Sequence, residues 1–236
     1  MPRQARLDIP GLVHHVMARG IEGRDIFTNR ADHEEFLQRL ADILSGNGGP
    51  TLYAWALLSN HFHLLIRPAE IHLSTLMQRL MTGYALNFNK HHRRIGHLFQ
   101  NRYKSIVVEE DSYFLELVRY IHLNPLRAGM VNSLEALEKY NYAGHGVILG
   151  KREYPIQNVD YVLSCFSSKR ESAMEAYRAF VQAGAKQGVR EDLRGGGLIR
   201  SAGGVVALLT RNSDEHEAVL AMKLLDKANV ALIVAP

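Results

Sequence analysis

Apolar positions along this chain recur with two different periods, and the switches between them outline its elements. Leu12 to Ala18 reads as a strand, and Gly20 and Gly23 then punctuate a loop. From about Asp32 to Leu44 the apolar residues Phe36, Leu37, Leu40, Ile43 and Leu44 fall at helical spacing, and the run Gly46 to Pro50 breaks that pattern. Thr51 to Leu58 and His61 to Arg67 are short apolar runs flanking Ser59-Asn60, which is the length and turn chemistry of a β-hairpin. Ser74, as an N-cap, opens a second helix with Leu76, Met77, Leu80, Tyr84 and Phe88 on one face, running out in His91-His92-Arg93-Arg94. Tyr103 to Val108 alternates as a strand, and Asp111-Ser112 starts a third helix, expected to stop near Asn124 because Pro125 follows.

The order strand, helix, strand, strand, helix, strand, helix predicts an α+β fold: a ferredoxin-like antiparallel sheet with helices on one face. After about Gly150 the character changes. Ser168 to Ala183 has the pattern of an amphipathic helix with Gly184 as its stop, residues 194–204 are glycine-rich, and a last helix is expected over Asp214 to Ala228. Two units follow, one over residues 1–150 and a helical accessory region over 151–236.

Composition narrows the class. The 236 residues, 47% hydrophobic and 22% charged, suffice for a real core. The single cysteine, Cys165, leaves no partner for an internal disulfide and forms no zinc cluster, so a reducing, cytoplasmic setting is expected. The N-terminus has no apolar signal core, and the apolar runs, Tyr53 to Leu58 and Val205 to Leu209 among them, are too short to span a bilayer, so no membrane role is expected. A net charge of +4 is only mildly basic, but its distribution is uneven. Between Arg67 and Val108 stand seven Lys and Arg residues (Arg67, Arg79, Lys90, Arg93, Arg94, Arg102 and Lys104) against Glu70 alone. A phosphate-tracking surface and a solvated basic helix end both account for such a run.

Chemistry concentrates in two places. His61 and His63 are one residue apart in a strand, so both imidazoles leave the same face and can share a metal ion, while Phe62 enters the opposite face. In Val118 to Pro125, Tyr120 and Asn124 are four apart on a helix and project together. A phenol can attack a phosphodiester, and an amide oxygen suits a hard cation as a third ligand. Taken singly, packed histidines, a core aromatic and a cap before proline are the ordinary readings. Tyr113, nearly two turns before Tyr120, is an alternative nucleophile, and Glu109, Glu110 and Asp111 can assist the metal, although the ordinary reading is a negative helix start that complements the dipole.

These elements together resemble the HUH single-strand endonucleases, specifically the REP-associated tyrosine transposases and related single-tyrosine insertion-sequence transposases. The resemblance covers residues 5–150 and rests on the stretches 53–66, 73–84, 96–105 and 113–129, which include Ser59-Asn60-His61-Phe62-His63 and Arg119-Tyr120-Ile121-His122-Leu123-Asn124-Pro125. Tyr140 to His145 and the glycine-rich 195–201 resemble later family segments, and beyond Gly204 the likeness fades. The resemblance implies that His61, His63 and Asn124 hold Mg²⁺ or Mn²⁺, that Tyr120 is the nucleophile, and that the substrate is single-stranded or hairpin DNA. It implies a 5′-phosphotyrosine intermediate and strand transfer without a nucleotide cofactor. Lys90, Arg93, Arg94, Arg102 and Lys104 are the expected DNA track. A silent hairpin-binding regulator with the same fold and a hydrolytic metalloenzyme are the competing readings, and monomer and dimer both remain open.

Overall fold

Strands whose residues are apolar on both sides need cover on both sides, and the architecture follows from that requirement. The computed structural model describes residues 11–46, 49–108 and 113–186. Four strands, β1 (Val13–Arg19), β2 (Thr51–Leu58), β3 (His61–Arg67) and β4 (Lys104–Val108), form one sheet in the order β2-β3-β1-β4. Every neighbouring pair is antiparallel. Helices α1 (Arg30–Leu44) and α2 (Leu73–His91) link β1 to β2 and β3 to β4, giving the ferredoxin-like order expected. Helices α3 (Phe114–Arg127), α4 (Leu134–Glu138), α5 (His145–Ile148), α6 (Val159–Ser164) and α7 (Arg170–Ala185) follow.

Helices α1 and α2 share one face, where Phe36, Leu40, Leu76, Leu80 and Tyr84 pack with Val16, Trp55, Phe62 and Leu64. The opposite face is covered as well, which corrects the expectation of helices on one face only. There Leu117, Val118 and Ile121 of α3 pack with Ala54, Ala56, Leu65 and Ile106. The reason is legible in Leu64-Leu65-Ile66, all fully buried: consecutive apolar residues in a strand point to opposite faces, so both must be shielded. A β-bulge between Leu52 and Ala54 puts both Tyr53 and Ala54 into the α3 core.

Three boundaries differ from the sequence pattern. Leu73 is the first residue of α2 and His72 its cap, rather than Ser74. Helix α3 runs through Pro125 to Arg127, because proline in the last turn costs one backbone hydrogen bond, and Gly129, at φ +69°, marks the true end. Gly184 does not stop α7. It lies inside the helix, where a Cβ would collide with the Arg119 side chain, so it permits α3 and α7 to approach. Asp111 and Ser112, residues 194–204 and the helix expected over 214–228 lie outside the described residues.

Packing runs without a break across residues 150–160, where the unit boundary was expected. Leu163, Ala173, Tyr177 and Val181 join the α3 core. The backbone N–H groups of Leu57 and Asn158 donate to Tyr142 and Leu52, and that of Gly144 donates to Trp55, so segment 142–158 covers the outer edge of β2. Beneath α3 the Tyr177 hydroxyl lies 2.7 Å from Nδ1 of both His122 and His145, donating to one imidazole and accepting from the other. Burial, with His145 nearby, holds His122 well below the usual histidine range, and burial with Arg178 brings His145 down to about 4.

Candidate active site

The register of the sheet lines up the site in rows. Met17 of β1 pairs with His63 on one side and Lys104 on the other, and Arg19 pairs with His61 in the next row toward the strand ends. Strand alternation puts His61, His63, Met17 and Lys104 on the face that α3 covers. The helix supplies Tyr120 and Asn124, and the turn before β3 supplies Asn60. These side chains, with Gln100, Asn101 and Arg102, line an open cleft of about 580 Å³.

Both histidines are oriented by neighbours. Asn60 Nδ2 donates to the carbonyl of Gly23 at 3.0 Å, which turns Asn60 Oδ1 toward His61 Nδ1, 2.6 Å away. The oxygen can only accept, so His61 Nδ1 carries the proton and Nε2 the lone pair. His63 Nδ1 lies 2.9 Å from Nε2 of His15, a fully buried residue of β1 whose ring stacks on it at 5.2 Å between centroids. Burial, reinforced by Lys104, lowers His15 to about 3, so it is neutral at ordinary pH. The His61 and His63 rings are 5.1 Å apart, and the edge of Tyr120 meets His63 at 5.9 Å.

Asn124 Nδ2 donates to the Tyr120 carbonyl at 3.0 Å, committing the amide nitrogen to the helix and leaving its oxygen as the acceptor this side chain offers. Arg127 sets its guanidinium 5.5 Å from the centre of the Tyr120 ring. Two imidazoles with Nδ1 engaged and one amide oxygen make a donor set suited to a divalent cation. Among the described residues no three His, Cys, Asp or Glu side chains form a metal cluster, and Asn124 offers an amide oxygen in the cleft that the two histidines line.

The cleft brings together His61, His63, Tyr120 and Asn124 with Arg102 and Lys104. Lys90, Arg93 and Arg94 sit elsewhere, at the end of α2 and in the loop after it, with Arg93 exposed at φ +51° and Arg94 over the Phe88 ring. That loop returns to the site. Ile21 N–H donates to Leu98 and Gln100 N–H to Arg19, which delivers Arg102 and Lys104 to the cleft. Tyr113, at the start of α3, does not line the cleft. His15 and Asn60 were not singled out in the sequence, since their roles depend on strand register and turn geometry. No helix among the described residues is long and apolar enough to cross a membrane.

Known proteins supply an independent comparison. Residues 9–124 match the family described as transposase IS200 like. A solved REP-associated tyrosine transposase bound to a REP hairpin superposes with a TM-score of 0.51 at 16% identity, covering 66% of this chain and 90% of that one. A protein from Deinococcus radiodurans R1 described as a candidate transposase gives a TM-score of 0.36 at 17% identity, over 51% of this chain and 95% of that one. No curated protein matches the chain. The first superposition supports the α+β fold, and the match to the IS200-like transposase family spans every strand together with Tyr120 and Asn124, so over residues 9–124 this chain is similar to that family.

Proposed function

We propose that the chain is a metal-dependent single-strand DNA endonuclease and strand transferase acting beside DNA hairpins. The observation that carries this reading is the meeting, in one cleft, of Tyr120 with two histidines each engaged at Nδ1, an amide oxygen and two cations. Mg²⁺ or Mn²⁺ held by His61, His63 and Asn124 would withdraw charge from the scissile phosphate. Arg102 and Lys104 neutralise the flanking phosphates and draw the strand along the cleft floor, and the exposed Lys90 and Arg93 with the partly exposed Arg94 extend that track beyond it.

Tyr120 then attacks phosphorus. The tyrosyl O–P bond forms as the bond from phosphorus to the 3′ oxygen breaks, the phenolic proton passes to solvent and the departing oxygen takes one up. The products are a 5′-phosphotyrosine and a free 3′-hydroxyl. A second 3′-hydroxyl attacking the same phosphorus releases Tyr120 and rejoins a strand, so no nucleotide cofactor is required. The open cleft admits an unpaired, bendable strand. Hairpin DNA enters this reading through the superposed REP-associated transposase, which was solved with one.

The test is adduct formation. End-labelled oligonucleotide with wild-type protein and Mn²⁺ should give a labelled protein band on a denaturing gel. Tyr120→Phe should bind the oligonucleotide and give no band, while Tyr113→Phe retains it. A band from Tyr120→Phe moves the nucleophile elsewhere, and binding without any band from wild type leaves a hairpin-binding regulator.

A further inference from the structure

His15 stands in the core of the sheet with no obvious reason to be a histidine. It is fully buried, and its Nδ1 has no hydrogen-bond partner among the described residues. A buried polar atom left unpartnered costs about 1–3 kcal/mol, so a leucine would pack there at lower cost. The other end of the ring gives the reason. Nε2 lies 2.9 Å from His63 Nδ1, and the two rings stack with 25° between their planes.

We propose that His15 is a positioning residue for the ligand His63: its Nε2 accepts a hydrogen bond from His63 Nδ1–H and so holds the tautomer whose Nε2 carries the lone pair. The inference rests on the metal-dependent reading above. It matches what Asn60 does for His61 from the hairpin turn, so each ligand has its own orienting acceptor, one from a turn and one from the neighbouring strand. The two are not equivalent. Asn60 is partly exposed and anchored by a backbone carbonyl, whereas His15 is fixed on every side by the sheet, in a row between Leu65 and Ile106. Ring orientation at His63 is therefore set by strand register and does not wait for the cation.

The experiment measures Mn²⁺ binding by the metal-free full chain, using the electron spin resonance of free Mn²⁺, for wild type, His61→Ala, His15→Leu and His15→Gln. His15→Leu fills the space and removes the acceptor, and should weaken binding by about 10–100-fold, the range for loss of an orienting partner. Glutamine offers an amide oxygen near the position of Nε2, so His15→Gln should stay within about threefold of wild type. A merely structural role would lower thermal stability in both variants and leave Mn²⁺ affinity alone. Should His15→Leu fail to fold, long-range ¹⁵N–¹H correlation spectra of the wild type decide the question. His63 should be protonated at Nδ1 and bare at Nε2, and the reverse pattern overturns the proposal. Wild-type affinity in His15→Leu overturns it while the cation reading stands, provided His61→Ala binds more weakly than wild type. If wild type and His61→Ala bind Mn²⁺ equally, both fall together.

Discussion

Acidification should loosen the anchor beneath α3. His122 of α3 and His145 of α5 meet at the Tyr177 hydroxyl of α7, and both are kept neutral by burial. Their pKa values are lowered on folding, so the unfolded chain takes up protons that the native state refuses. Stability is thus fully present above about pH 6.5 and is lost as pH falls toward the folded values, about 4 for His145 and likewise well below the usual histidine range for His122. One proton per imidazole corresponds to about 1.4 kcal/mol per pH unit, so the pair should cost about 4 kcal/mol between pH 7 and pH 5. That is a large part of the roughly 5–15 kcal/mol that holds a domain folded. Urea unfolding followed by circular dichroism in chelator, at half-unit steps from pH 7.5 to 5, measures it. His15 and His33, also lowered by burial, add slope of the same sign, so the diagnostic is a difference. His145→Gln should flatten the dependence by about 1.4 kcal/mol per pH unit below pH 6. Parallel curves for wild type and variant would show that His145 takes up its proton without unfolding, and the account of the buried triad would be wrong.

Further predictions concern the cleft. His61→Ala or His63→Ala should lower cleavage by at least about 10²-fold while hairpin binding persists, and chelator should do the same to wild type; full activity in either case removes the metal assignment. Neutralising Arg102 and Lys104 together should shallow the log–log salt dependence of single-strand binding by roughly 1.4, since each cation displaces about 0.7 of a counterion on single-stranded DNA. An unchanged slope in a fluorescence-anisotropy salt series would move the DNA track out of the cleft.

Much of this molecule was legible because it rests on short-range periodicity. The β2–β3 hairpin closes at Ser59-Asn60 as the turn chemistry indicates, and alternation alone puts His61 and His63 on one face. The four-residue spacing of Tyr120 and Asn124 brings them into one cleft, since helical geometry is also local. What escaped depends on long-range pairing. His15 lies diagonally from His63 across a strand pair and is 48 residues away in the chain, so register alone reveals it. The cover on the second face of the sheet required reading the doubly buried Leu64-Leu65-Ile66 run as a strand with two partners. Gly184 looked like a stop signal because packing against Arg119 is invisible to a local rule. The split of the basic segment, with Arg102 and Lys104 in the cleft and Arg93 and Arg94 outside, follows from a loop that doubles back.

Tyr120 and the two histidines belong to different layers, one helical and one a sheet, so their separation is a matter of stacking height. Helix α3 rests chiefly on β2, and two of the residues it rests on there are Ala54 and Ala56. These small side chains act as thin shims. A thicker one, such as leucine at 56, would lift the helix and draw Tyr120 away from His63 while every residue lining the cleft kept its identity. The separation of Tyr120 from His61 and His63 is in this sense written in two methyl groups that do not line the cleft.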